Sequence, residues 1–256
     1  MEKQSRQLLY TFLYLLAIYL GVKMLPLERW IPSKPVVLLL SFTLEVLLIL
    51  LILYEISHAS LKMEKREQTI SLFFLLPLLP AAGSNLLYSL IFKSGITFSI
   101  DSLFPLVTVN TLACVVIEEL LFRMILLLFF SSLLKEKNRT LRSIFFASLC
   151  FSLMHCINFF GNNPFAVLLQ LGYTFLLGLV LNSLTYLYGS VIVPIVGHFL
   201  YNFLNMDLFS RIYDVNMSEP SYIIFQTAIG IFAIIYLAVL FFIDRKKGAN
   251  YYKVKH

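Results

Sequence analysis

Charge is scarce in this sequence. Only 13% of its 256 residues are Asp, Glu, Lys or Arg, while 59% are hydrophobic and the mean hydropathy is +0.85. A soluble domain wraps its core in a polar shell, and this chain lacks the residues to build one. In a bilayer the constraint inverts, because apolar side chains face lipid. Cysteine is scarce too. Cys114, Cys150 and Cys156 all lie inside apolar runs, so no disulfide framework is implied. No Pro/Ser/Gly-rich linker, low-complexity tract or repeat is present, and residues 1–256 read as a single membrane domain. The formal charge of +6 is no nucleic-acid signal. Its basic residues sit in loops and tails, where anionic headgroups account for them.

The apolar runs set the fold class: an all-α polytopic bundle of about eight transmembrane helices, each about 20 residues long. They run roughly from Leu8 to Leu25, Val36 to Tyr54, Thr69 to Phe92, Leu103 to Leu134, Leu141 to Phe160, Pro164 to Tyr188, Val191 to Phe209 and Tyr222 to Ile243. The first follows a basic start, Lys3 and Arg6, but lacks a small-x-small cleavage site, so it reads as a retained span. Pro77, Pro80 and Gly83 predict a kinked or broken third span. The fourth is too long to stand upright and should tilt or protrude. With eight spans both ends share a side, which collects 14 Lys and Arg residues against 5 opposite, Arg123 being inside a span. That ratio predicts both termini in the cytoplasm.

An ionisable group in mid-bilayer costs a few kcal/mol, so it needs a partner or a purpose. The fourth span carries Glu118, Glu119 and Arg123. Adjacent residues on a helix point about 100° apart, so the two glutamates have different roles. Glu119 and Arg123 are four apart with the acid first, the favoured orientation for an intrahelical ion pair. Glu118 has no partner in its own helix, which suits a residue that exchanges protons. Alternatively, both acids pair with cations on other helices. The fifth span carries His155, which alone could be a packing residue. The seventh carries His198 and Asn202, four apart on one face, which alone could be interhelical glue. Together, both histidines within spans can face Glu118 from separate helices. Glu45 in the second span has no evident task beyond substrate access or interhelical pairing.

A carboxylate with an imidazole can deprotonate water, directly or with a metal that lowers the water's pKa. A second imidazole and an amide can donate to a tetrahedral oxyanion. As a zinc site the set would be Glu118, His155 and His198 with one open position. There is no His-Glu-x-x-His and no Gly-x-Ser-x-Gly. Ser152 lies three before His155 by chance. Cys114 and Cys156 adjoin the motifs, but buried cysteines usually pack.

Glu118-Glu119-x-x-x-Arg123, Phe151-x-x-x-His155 and His198-x-x-x-Asn202, in order on three apolar helices, resemble the CAAX protease and bacteriocin-processing (Abi) family over about residues 100–210. The resemblance implies an intramembrane endopeptidase with an eight-helix core. Glu118 and His155 would activate the water, and His198 and Asn202 would serve the oxyanion or a metal. Glu119 and Arg123 would hold the geometry. It leaves open a metalloprotease, with zinc on Glu118, His155 and His198, or a metal-free glutamate protease. It implies a lipid-embedded enzyme acting on a peptide or membrane-protein substrate: a bacteriocin, a signalling peptide or a CAAX-type end. The short chain and its Leu/Phe/Ile/Lys-rich composition lean toward a low-GC Gram-positive bacterium. A non-proteolytic immunity or signalling partner is the alternative. A proton-coupled transporter is a third reading, against which stands the lack of an internal repeat.

Overall fold

The computed structural model describes residues 3–59, 61, 71–92, 101–134, 139–160, 163–208 and 219–246, and every regular element among them is helical. The chain is an all-α polytopic bundle. Helices α1 (Lys3–Lys23) and α2 (Lys34–His58) occupy the first two predicted spans. The third span is broken, as its prolines and glycine require. A 3₁₀ segment (Leu72–Leu78) and a short helix (Leu79–Ala82) meet α3 (Ser84–Phe92) at a 66° bend around Gly83. Next, α4 (Phe104–Glu119) continues through a π-helical segment (Leu120–Leu126) into α5 (Leu127–Leu133). Helix α6 (Arg139–Met154) tightens into a 3₁₀ segment (His155–Phe160). Then come α7 (Pro164–Tyr188), α8 (Ile192–Asn202) with a π-helical extension (Phe203–Leu208), and α9 (Pro220–Lys246).

Among the described residues five helices are long and apolar enough to cross a membrane, or six if the bent pair is one span, rather than eight. The fourth and seventh predicted spans are present as helices but not among those five. The α-helical part of α4 is 16 residues, and the apolar helix Ile192–Asn205 is also short. Several residues used to count charge per side, Lys62, Lys65, Arg66, Lys93, Lys135, Lys137, Arg211, Lys247, Lys253 and Lys255, lie outside the described residues, as do the predicted span ends Thr69 and Phe209.

Local chemistry sets α7 most clearly. The Asn163 side chain accepts from Phe165 N–H, Pro164 fits the first turn, and Gly189 stops the helix at φ 58° while its N–H bonds Thr185 O. Its middle lies close against α6, since a Cβ at Gly178 would come within 3.0 Å of Ser148 Cβ. Asn182 Nδ2 donates to Ser148 Oγ, and Ser152 Oγ donates to Leu171 O. Small residues at such contacts let helix backbones approach where lipid supplies no hydrophobic drive. Ser152 therefore ties two helices together. Side chains such as Leu39, Leu47, Leu50, Ile224 and Ile235 point outward, as lipid contact demands. Helix α4 packs between α2 and α8, α1 lies on the π-helical segment, and α6 packs on α5 and α7.

Candidate active site

Helix α4 carries two carboxylates into different settings. Glu119, fully buried, holds one oxygen 3.0 Å from Arg123 Nε, close enough for an ion pair although not aligned for a hydrogen bond. Its other oxygen lies 2.8 Å from His198 Nδ1. The four-residue spacing thus gives the predicted pair. Arg123 is also fully buried, stacks over the Phe151 ring at 4.4 Å, and borders a cavity of about 10 Å³, the size of one water.

Glu118 points elsewhere. Tyr19 OH, from α1, donates to its Oε1 at 2.7 Å, and its Oε2 stands 3.9 Å from His198 Nε2. That gap is too long for a direct hydrogen bond. Glu118 is 13% exposed and His198 3%. Helix α8 supplies His198 and, one turn on, Asn202, whose Nδ2 lies 3.3 Å from His198 Nε2.

The hydrogen bonds assign the tautomers. An amide NH₂ only donates, so His198 Nε2 accepts from Asn202 and Nδ1 carries the proton given to Glu119. His155 begins the 3₁₀ segment, and its Nδ1 lies 3.0 Å from Phe151 O. A carbonyl only accepts, so here too Nδ1 is the donor and Nε2 keeps the basic lone pair. His155 makes no polar contact with Glu118 among the described residues. Both imidazoles instead meet the edge or face of Phe151, with ring centroids at 5.3 Å and 5.8 Å. Phe122 packs on the same ring at 5.2 Å.

All six residues predicted from the three motifs, Glu118, Glu119, Arg123, His155, His198 and Asn202, therefore surround Phe151 or one another. Among the described residues no three His, Cys, Asp or Glu side chains form a group that could hold a metal ion. Glu118, His155 and His198 do not fit a zinc cage as arranged, because His155 turns away to its own helix and Asn202 occupies the lone pair of His198 Nε2.

Two partners escaped the sequence reading. Tyr19 completes Glu118 from 99 residues away. Lys23, one turn later, meets Glu45 at 2.9 Å and so gives that carboxylate the interhelical pairing considered for it. The one available signal was that Tyr19 and Lys23 sit four apart in the apolar C-terminal half of α1.

Residues 100–204 match the family model described as Type II CAAX prenyl endopeptidase Rce1-like. The likeness to the CAAX protease family covers less than half of the chain. The match spans all six motif residues on α4, α6, α8 and their extensions, and leaves Tyr19, Lys23 and Glu45 outside it. No curated protein and no solved structure matches the chain. The matched model is that of a protease, and the long apolar helices around it are those of a multi-pass membrane bundle.

Proposed function

We propose that this protein is an intramembrane endopeptidase in which Glu118 activates a water for attack on a peptide carbonyl. The single observation that carries this reading is the Glu118 carboxylate, 13% exposed beside His198 and, among the described residues, hydrogen-bonded through Oε1 to the Tyr19 hydroxyl. In this mechanism Glu118 takes the proton from the water. His155, with its Nε2 lone pair free by tautomer, shares the base role and later passes a proton to the leaving amine. The free N–H of the Asn202 carboxamide donates to the oxyanion. Glu119 holds the His198 tautomer fixed, and Arg123 holds Glu119. Every one of these steps uses groups of the chain.

The substrate is a peptide or membrane-protein segment reached within the bilayer. Gly197 and Tyr201, beside His198 and Asn202 on α8, help line a cavity of about 120 Å³ with Leu176, Val180 and Leu181. That wall is apolar, which favours a CAAX-type substrate with a lipid-modified end over a bacteriocin or signalling peptide. The surplus of Lys and Arg on one side supports both termini facing the cytoplasm, and the Leu/Phe/Ile/Lys-rich composition favours the cell membrane of a Gram-positive bacterium.

The test is cleavage of a prenylated CAAX peptide and its unmodified counterpart in proteoliposomes. Wild type cleaves, and Glu118→Gln, His155→Ala and His198→Ala each lose at least about 10²-fold. Undiminished cleavage in all three defeats the proposal. Because the mechanism runs through Glu118, a chelator that strips tightly bound zinc leaves the rate within about twofold, whereas loss of activity restored by added zinc would assign the water to a metal.

A further inference from the structure

One turn from the Tyr19–Glu118 contact, α1 and α4 meet a second time. Lys23 is four residues after Tyr19, Cys114 is four before Glu118, and Lys23 Nζ lies 2.6 Å from Cys114 Sγ. This is shorter than the N–H···O range of about 2.7–3.2 Å, although sulfur is the larger atom. It is the span that two single bonds meeting at an oxygen cover. Glu45 of α2 closes the triangle: its Oε1 accepts from Lys23 Nζ at 2.9 Å and from Cys114 Sγ at 3.0 Å. The other Glu45 oxygen is buried with no hydrogen-bond partner among the described residues, and the residue is 2% exposed. The Lys23 side chain is 38% exposed, so small oxidants reach it. An amine, a thiol and a proton acceptor are thus held in contact at an exposed edge of the bundle, outside the groups used for proteolysis.

We propose that Lys23 and Cys114 form an oxidative modification site, at which dioxygen closes a covalent Nζ–O–Sγ bridge. The thiol loses its S–H hydrogen and the neutral amine one N–H hydrogen. One oxygen atom enters between sulfur and nitrogen, and the second leaves as water with those two hydrogens. Sulfur and nitrogen each give two electrons, which together supply the four that dioxygen takes. Glu45 accepts the extra proton that the ammonium form carries, which frees the nitrogen lone pair for bonding. Thiols oxidise stepwise through oxygen-bearing sulfur; in this bridge the oxygen stays bonded to both sulfur and nitrogen, whereas a sulfenamide, formed with loss of that oxygen as water, would show a loss of two hydrogens alone. The bridge ties α1 to α4 one turn from Glu118, and the site stands whether or not the chain cleaves peptides.

The full-length protein, purified anaerobically with reductant and then exposed to air-saturated buffer in proteoliposomes, tests this by intact mass and peptide mapping. The expected shift is one oxygen less two hydrogens, located in a cross-linked pair of peptides holding Lys23 and Cys114 and reversed by a thiol reductant. Lys23→Arg and Cys114→Ser both lack the shift, while Cys150→Ser and Cys156→Ser keep it. The proposal is overturned if the air-exposed wild type shows no linked peptide, if Cys114 gains whole oxygen atoms while Lys23 stays free, or if Lys23→Arg gains the same mass.

Discussion

Along α4 one carboxylate is sealed and its neighbour is open. Glu119 sits unexposed between Arg123 and His198, while Glu118 keeps 13% exposure and one oxygen 3.9 Å from His198 Nε2. Both face the same imidazole, Glu119 at Nδ1 and Glu118 at Nε2. The contrast follows from the roughly 100° turn between adjacent residues, which sends one side chain into the packed side of the bundle and the other toward water. A buried ion pair is poor at exchanging protons and good at fixing geometry. A half-open carboxylate with one neutral donor is the reverse. In the proposed mechanism the same helix thus separates holding from reacting by a single position.

Exchanging each glutamate for its amide tests that division. Glu118→Gln keeps the volume and the contact to Tyr19 but removes the base, so cleavage falls about 10²–10⁴-fold. Its unfolding free energy in detergent stays within about 0.5 kcal/mol of wild type. Glu119→Gln shows the opposite pattern in that measurement. It strips the counter-charge from a guanidinium that no other acid meets among the described residues, and costs about 3–5 kcal/mol of stability. Equal destabilisation by the two substitutions would break the comparison. A Glu119→Gln, Arg123→Met double variant sharpens it. Removing both charges recovers most of the lost stability, because the penalty lies in the unpaired cation.

The sequence already distinguished these two residues, because the distinction is local. A Glu and an Arg four apart on one helix must meet, and the bend at Pro77, Pro80 and Gly83 is equally a matter of neighbouring backbone. The bounds of α7 are legible for the same reason, since Asn163, Pro164 and Gly189 punctuate it. What escaped depends on how helices pack. Nothing within α1 says that Tyr19 reaches a residue 99 positions away, or that Lys23 meets Glu45 and Cys114. The π-helical turn at Leu120–Leu126 also leaves no mark, because its residues, Leu-Leu-Phe-Arg-Met-Ile-Leu, suit an ordinary helix equally well. His155 was expected to face Glu118. Its position at the start of a 3₁₀ segment brings it to Phe151 instead, a change of helix type that hydropathy does not register.

The smallest expected effect is at Tyr19, the partner that α1 lends to the open carboxylate. Its hydroxyl gives Glu118 Oε1 one hydrogen bond at 2.7 Å, and a hydrogen bond to a charged group is worth about 1.5–3 kcal/mol. Part of that returns when water replaces the hydroxyl, which the exposure of Glu118 permits. Tyr19→Phe therefore slows cleavage about tenfold, an order of magnitude or more less than Glu118→Gln. The loss falls in kcat, with KM little changed, because the tyrosine orients the base and does not hold substrate. Lys23, one turn further along α1, touches Glu45 and Cys114 rather than Glu118, so Lys23→Arg leaves kcat within about twofold of wild type. An unchanged kcat in Tyr19→Phe, or an equal loss in Lys23→Arg, would reduce α1 to packing and leave Glu118 to the three motif helices alone.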